Sequence, residues 1–263
     1  MSRLSQHIAR LGREQDCLIM SHTVVGYPNL AAHPSDIATL AASGIGLMEL
    51  QIPFSDPVAD GPTLADACHQ ALQQGGSVAS ALALAAEVCP AHPQVGFIVM
   101  SYLNPLYRYG FSRFCREAAA AGVLGLIIPD LTLVQLSAEE QALLEELDLP
   151  LITMVTPLTS ETRLQQLLTS AAGMVYAVAR SGVTGSATEK WGLDFQQYMQ
   201  RIRHATALPI AVGFGIQQQA DIQALRGQAQ VAAVCSQTLR WQQQGGTAHA
   251  AQHLAQLVQA GKE

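Results

Sequence analysis

Residues 47–63 read L-M-E-L-Q-I-P-F-S-D-P-V-A-D-G-P-T. The run opens as a short buried strand, with Leu47, Met48, Leu50 and Ile52 supplying the apolar surface and Glu49 the only charge inside it. Pro53 breaks it into a loop dense in turn formers, which carries Asp56 and Asp60 and closes at Gly61-Pro62. An unpaired charge is costly to bury, so Glu49 must be paired, neutralised or functional. A carboxylate on a rigid strand with a second, Asp60, on the loop above it is how an acid/base site is assembled. The plainer alternative is a strand-end surface residue and a turn former, and the stretch alone leaves both open.

Outward from this strand–loop unit, the same alternation fills the chain. Leu4, Ile8 and Leu11 at helical spacing predict a capping helix over residues 2–13. Strands are expected at 17–25, 47–52, 95–101, 123–128, 151–155, 174–179, 208–212 and 231–234. Helices are expected at 34–42, 65–73 with 78–88, 111–121, 137–147, 160–168, 195–204 and 220–225, followed by two polar-faced helical stretches. The helix from Ser137 opens Ser-Ala-Glu-Glu, a capping-box pattern. Apolar strands without polar alternation suit a parallel sheet covered on both sides. Eight strand–helix units within 263 residues, with no linker or composition break, predict an α/β chain folded as one (β/α)8 barrel spanning 1–263 with an extra N-terminal helix. A doubly wound open sheet is the competing architecture.

Composition narrows the function. Apolar residues make up 49% and charged residues 13%, enough for a large core. A formal charge of −6 disfavours nucleic acid or an anionic membrane as partner. The five cysteines are scattered and contain no C-x-x-C, as expected of reduced, buried thiols in a cytoplasmic protein. No secretory pattern opens the chain and no apolar run has the length of a membrane span.

In a barrel the site gathers at the C-terminal strand ends. Those ends offer His22, then Glu49 with Asp60, Tyr102 and Asn104, Asp130, and Tyr176. The loop S-G-V-T-G at 181–185, Gly213-Phe214-Gly215, and Cys235-Ser236 at a helix start are small-residue segments that let backbone N–H groups approach an anion. Their convergence at one rim points to a phosphate ester. The chain has two lysines, Lys190 and Lys262, neither within a predicted strand end, which disfavours a Schiff-base mechanism. No spacing of metal ligands appears, and a lone histidine such as His22 reads first as a hydrogen-bonded structural residue. Neither a nucleophile elbow nor a dinucleotide fingerprint is present. Carboxylate acid/base chemistry on a small phosphorylated molecule remains. The stretch from Gly182 to Asp194 reads as a lid, with Lys190 as its tryptic site.

Four motifs, E-L-Q-I-P-F-S-D-P-V-A-D-G-P-T, Y-L-N-P-L, Y-A-V-A-R-S-G-V-T-G and V-G-F-G-I, resemble in order and spacing the tryptophan synthase alpha chain family, from about Gly26 through Ser236. The resemblance implies a (β/α)8 barrel lyase of tryptophan biosynthesis that cleaves indole-3-glycerol phosphate to indole and glyceraldehyde 3-phosphate. It also implies an alpha2-beta2 assembly with a pyridoxal-phosphate beta chain, and no cofactor or metal on this chain. The family's catalytic carboxylates fall on Glu49 and Asp60, and its tyrosine near the reacting centre on Tyr176. Its phosphate-binding loops match Thr184-Gly185, Gly213-Phe214-Gly215 and Cys235-Ser236, while Met100, Ile127 and Phe214 fall around the indole, with His22 and Tyr102 as further substrate-binding candidates. His22 stands where the family carries a bulky apolar ring, Cys235 where it has glycine, Gln237 where it has a small residue, and Thr132 where it has proline on the partner side. Two alternatives follow from these departures: a free-standing or altered-substrate lyase, and a non-catalytic alpha-like subunit.

Overall fold

The computed structural model describes residues 1–179, 190–213 and 215–262. Eight parallel strands run in the order β4-β3-β2-β1-β8-β7-β6-β5. They are β1 (Leu18–Val24), β2 (Leu47–Gln51), β3 (Gly96–Met100), β4 (Gly125–Ile127), β5 (Thr153–Val155), β6 (Val175–Val178), β7 (Ile210–Gly213) and β8 (Val231–Val234). The two ends of that order meet where Leu126 bridges Leu151: Leu126 N–H donates to Pro150 O at 2.9 Å and Ile152 N–H to Leu126 O at 2.8 Å. The sheet therefore curls into a barrel, and the open-sheet alternative is set aside.

The helices are α1 (Arg3–Leu11), α2 (His33–Ala41), α3 (Pro62–Gln73), α4 (Val78–Ala91), α5 (Leu103–Tyr109), α6 (Phe111–Ala120), α7 (Ala138–Glu146), α8 (Glu161–Thr169), α9 (Leu193–Ala205), α10 (Gln219–Leu225) and α11 (Ser236–Ala260). Ser137 caps α7 reciprocally with Glu140, as its sequence predicts. α11 is kinked at Gly245 and Gly246, which accounts for the two helical stretches expected at the end of the chain. α5 is a correction, since no helix is expected between β3 and the helix at 111–121. Proline is tolerated there because the N–H groups of a first helical turn have no intrahelical partner to lose.

Strand alternation sorts side chains into two shells. Met48, Leu50, Phe97, Val99, Val175, Val212 and Val234 face the surrounding helices. Leu18, Met20, Leu47, Ile98, Met100, Ile127, Tyr176 and Ala233 fill the interior. α1 closes the N-terminal end: its Leu4 and Ile8 join that interior cluster and are fully buried. This position on the barrel floor is why helix spacing at the start of the chain predicts a cap. Among the described residues no helix is long and apolar enough to cross a membrane.

Candidate active site

Three adjacent strands bring the polar residues together. β1 pairs with β2 so that His22 lies opposite Glu49, and with β8 so that Ser21 lies opposite Val234. The next step of that register sets His22 beside Cys235. Two of the four positions expected to depart from the family pattern, far apart in the chain, are thus neighbours on one layer of the barrel. Along β2, Leu47, Glu49 and Gln51 share the interior face by period-two alternation.

Glu49 is 5% exposed and His22 1%. His22 Nδ1 lies 3.1 Å from Glu49 Oε1, within ion-pair range, but off the line of a hydrogen bond, so the buried Nδ1 has no hydrogen-bond partner. Its Nε2 lies 2.8 Å from Gln51 Oε1, and Gln51 Nε2 donates to Asp60 Oδ2 at 2.7 Å. A carboxylate only accepts, so the Gln51 amide is oriented with its oxygen toward His22, and His22 Nε2 is the donor. Tyr102 Oη donates to the same Asp60 oxygen at 3.1 Å and accepts from Ala59 N–H at 2.9 Å. One polar chain therefore connects the two carboxylates through His22 and Gln51. Gln51 is the residue that sequence reasoning missed; its signal was a second polar side chain two positions after Glu49 on the same strand face.

Electrostatics follow from this packing. Burial works to lower the His22 pKa, yet the Glu49 carboxylate, with Cys235, outweighs it and holds the imidazole well above its usual value. Burial raises the Asp60 carboxyl, against the donors Gln51 and Tyr102 and the nearby His22. Burial also raises the Cys235 thiol, with Glu49 adding to it.

These residues line a cavity of about 270 Å³ at the C-terminal end of the barrel. His22, Glu49, Asp60, Tyr176 and Cys235 give it polar atoms, and Met100, Ile127, Met154 and Ala233 give it apolar walls. Gly215 and Ser236 reach its edge, with Arg240 one helical turn beyond Ser236. Arg240 is a second residue that sequence reasoning missed: the signal was a cation four positions into the helix that follows β8. A shaped pocket with converging carboxylates, a helix start and one cation can bind a small anionic molecule and move protons on it.

The family model of the tryptophan synthase alpha chain matches residues 8–262. The chain belongs to the tryptophan synthase alpha chain family. As a member of it, the protein is a lyase of tryptophan biosynthesis. It is 40% identical over 236 residues to the alpha chain of Desulfotalea psychrophila, covering 89% of this chain and 91% of that one. Against the Desulforapulum autotrophicum alpha chain it is 38% identical, with 90% and 92% covered. Mycobacterium tuberculosis tryptophan synthase superposes with a TM-score of 0.90 at 29% identity, covering 100% of this chain and 99% of that chain. The Campylobacter jejuni alpha subunit gives 0.81 at 31% identity, covering 93% and 96%.

Within this tryptophan synthase alpha chain fold, several expected residues take other places. Asp130 accepts from Leu103 N–H at 3.0 and 3.2 Å, so its carboxylate ties down the start of α5 instead of entering the cavity. Asn104 faces a separate groove beside Asp56 and Arg108. Gly213 lies beneath Tyr176, where a Cβ would collide with the phenol hydroxyl; its small size makes room for that ring, and it does not line the cavity. Gly215 does line it, with φ +79°. Tyr102 stands behind Asp60, and not against the cavity. Tyr176 Oη lies 3.9 Å from Cys235 Sγ. Thr132 caps a 3-10 turn at Leu133–Gln135 with Gln135. Thr184, Gly185 and Phe214 lie outside the described residues, as does most of the expected lid. Lys190 is held rather than free: its Nζ pairs with Asp221 at 2.5 Å and donates to Gly215 O.

Proposed function

We propose that the chain cleaves indole-3-glycerol phosphate by a retro-aldol step, with Glu49 as general acid and base. Glu49, taking up a proton from the His22 imidazole beside it, delivers a proton to the indole ring carbon that carries the glycerol. It then removes the proton from the hydroxyl on the adjacent carbon. The bond between ring and chain breaks, the hydroxyl carbon becomes the aldehyde of glyceraldehyde 3-phosphate, and its electron pair restores the indole ring. Asp60 accepts the indole N–H and stabilises the positive charge that builds as the ring is protonated. Gln51 and Tyr102 both act on Asp60 Oδ2, so neither occupies Oδ1. Tyr176 stands over the reacting centre, and Met100 and Ile127 supply the apolar walls for the ring.

The observation that carries this reading is two carboxylates, one fully buried and one half-buried, facing a single apolar-walled cavity. The phosphate is assigned to the start of α11 at Ser236, beside Cys235, with Gly215 opposite and Arg240 as the cation. Thr184, Gly185 and Phe214 belong to the same assignment by family pattern.

A tryptophan synthase beta chain is the proposed partner. Val58 is 85% exposed, Tyr107 73% and Val134 55%, each in a segment that follows β2, β3 or β4 and so on the same end of the barrel as the cavity. Apolar side chains left in water on one face fit a protein contact. Indole release from indole-3-glycerol phosphate, with and without a beta chain, is the test. Release that rises when the beta chain is added is the expected result. Release unaffected by it leaves a free-standing lyase, and no release in either case overturns the assignment of the reaction.

A further inference from the structure

We propose that His22, Glu49 and Cys235 form a binding site for a borderline divalent cation of the zinc class. One ligand atom from each lies within 4.8 Å of the others. The three residues come from β1, β2 and the end of β8, so no sequence spacing announces them. A tetrahedral cation with bonds of about 2.0–2.3 Å wants its ligand atoms roughly 3.3–3.8 Å apart, so the cluster closes with a side-chain shift of about one ångström.

The imidazole is set up for this role. Its Nε2 is held by Gln51 Oε1 at 2.8 Å, and Gln51 is in turn held by Asp60 at 2.7 Å. A metal-binding histidine characteristically donates its far ring N–H to such a partner, which fixes the tautomer and points the other nitrogen at the cation. That other nitrogen, Nδ1, is buried and has no hydrogen-bond partner. Its nearest charged neighbour, Glu49, is itself a ligand in the cluster. Nitrogen, carboxylate and thiolate together suit zinc and its neighbours better than magnesium or calcium, which prefer oxygen alone. All three residues line the cavity, so a fourth ligand can approach from there.

The binding itself does not depend on the lyase reading; its consequence does. A cation held by Glu49 takes the carboxylate assigned to proton transfer, so occupancy and indole release exclude one another. Protons compete for His22, Glu49 and Cys235, so binding weakens as pH falls.

The test is titration of the purified, chelator-treated full chain with Co²⁺, followed by near-ultraviolet absorption. A thiolate-to-cobalt band saturating at one cation per chain is expected, with a higher Tm in Zn²⁺. Cys235→Ser removes the band, and His22→Gln weakens binding by at least about a hundredfold. Gln51→Leu, which leaves all three ligands, weakens it by roughly ten- to a hundredfold. A wild-type chain with no band at millimolar Co²⁺ overturns the site, a result that needs no variant to fold. A band undiminished in Cys235→Ser overturns it too, because the thiol then lies elsewhere. Separately, Zn²⁺ lowers indole release at least about tenfold and a chelator restores it. An active chain that binds no cation refutes only this proposal; an inactive chain that binds one refutes only the lyase.

Discussion

The two ends of the barrel are built from the same strands and filled in opposite ways. At the N-terminal end Leu4 and Ile8 of α1 pack on Leu18, Leu47, Ile98, Met174 and Val231, all fully buried and apolar. α1 is fastened there by Ser5 Oγ to Gly173 O at 2.6 Å and by His7 Nε2 against Gly46 O at 3.0 Å. At the other end the same strands change character within two to four residues: Leu18 and Met20 give way to His22, Leu47 to Glu49 and Gln51, Ala233 to Cys235. Each interior row thus runs from oil to ionisable groups along one strand. The closed end supplies packing, and the open end holds charges that packing alone would reject, because each has a partner.

If that division is right, substitutions at the two ends fail differently. The largest effect is expected from Glu49→Gln, which keeps shape and removes the proton carrier: turnover of indole-3-glycerol phosphate falls by about 10²–10⁴-fold in steady-state kinetics. Leu4→Ala, at the closed end, costs about 2–5 kcal/mol of stability in denaturant unfolding through the cavity it leaves, with turnover of the folded chain kept. Asp221→Asn lies between the two regimes. Its carboxylate is 3% exposed and accepts from Gln217 and Gln218 N–H at 2.8 and 3.1 Å and from Trp191 Nε1 at 3.0 Å, besides pairing with Lys190. Losing it costs about 1–3 kcal/mol in the same unfolding experiment. It also loosens the Gly215–Gln217 edge of the cavity, so KM rises.

The smallest effect is a change of pH dependence. His22 is held above its unfolded value of 6.5, mainly against burial by Glu49. A group whose folded pKa is raised stabilises fully below the unfolded pKa, and that contribution is lost as pH rises through the folded one. The stability advantage of the wild type over His22→Phe therefore shrinks as pH is raised from about 6.5, read as the difference in Tm between the two chains. A difference that grows with pH contradicts the pairing.

Much of this architecture is written locally. Strand and helix alternate strongly enough that eight β units could be counted, and Glu49 and Asp60 stand out as charges in an apolar strand and a turn-rich loop. What escaped was set by packing. Leu103-Asn104-Pro105 is not expected to open a helix, and Asp130 arrives from 27 residues away to hold the Leu103 N–H there. The same contact places Asp130, an acid at a strand end, on the backbone of α5 and not in the cavity. Gly213 reads as a phosphate-loop glycine, and that its small size also makes room for a ring from β6 is visible only in the packing. The chain from Glu49 through His22 and Gln51 to Asp60 depends on the β1–β2 register, which no single segment reveals. Lys190, expected as a tryptic site, is exposed and also paired with Asp221 on α10, a contact only the packing reveals.

The most direct check is indole release and Tm measured side by side on Glu49→Gln and Leu4→Ala. The expected result is a double separation. Glu49→Gln loses turnover by at least about a hundredfold per folded molecule, on top of the Tm it loses with the partner of His22, and Leu4→Ala loses stability while its folded fraction still releases indole. Turnover within a few-fold of wild type in Glu49→Gln would contradict the assignment of the acid and base to this carboxylate.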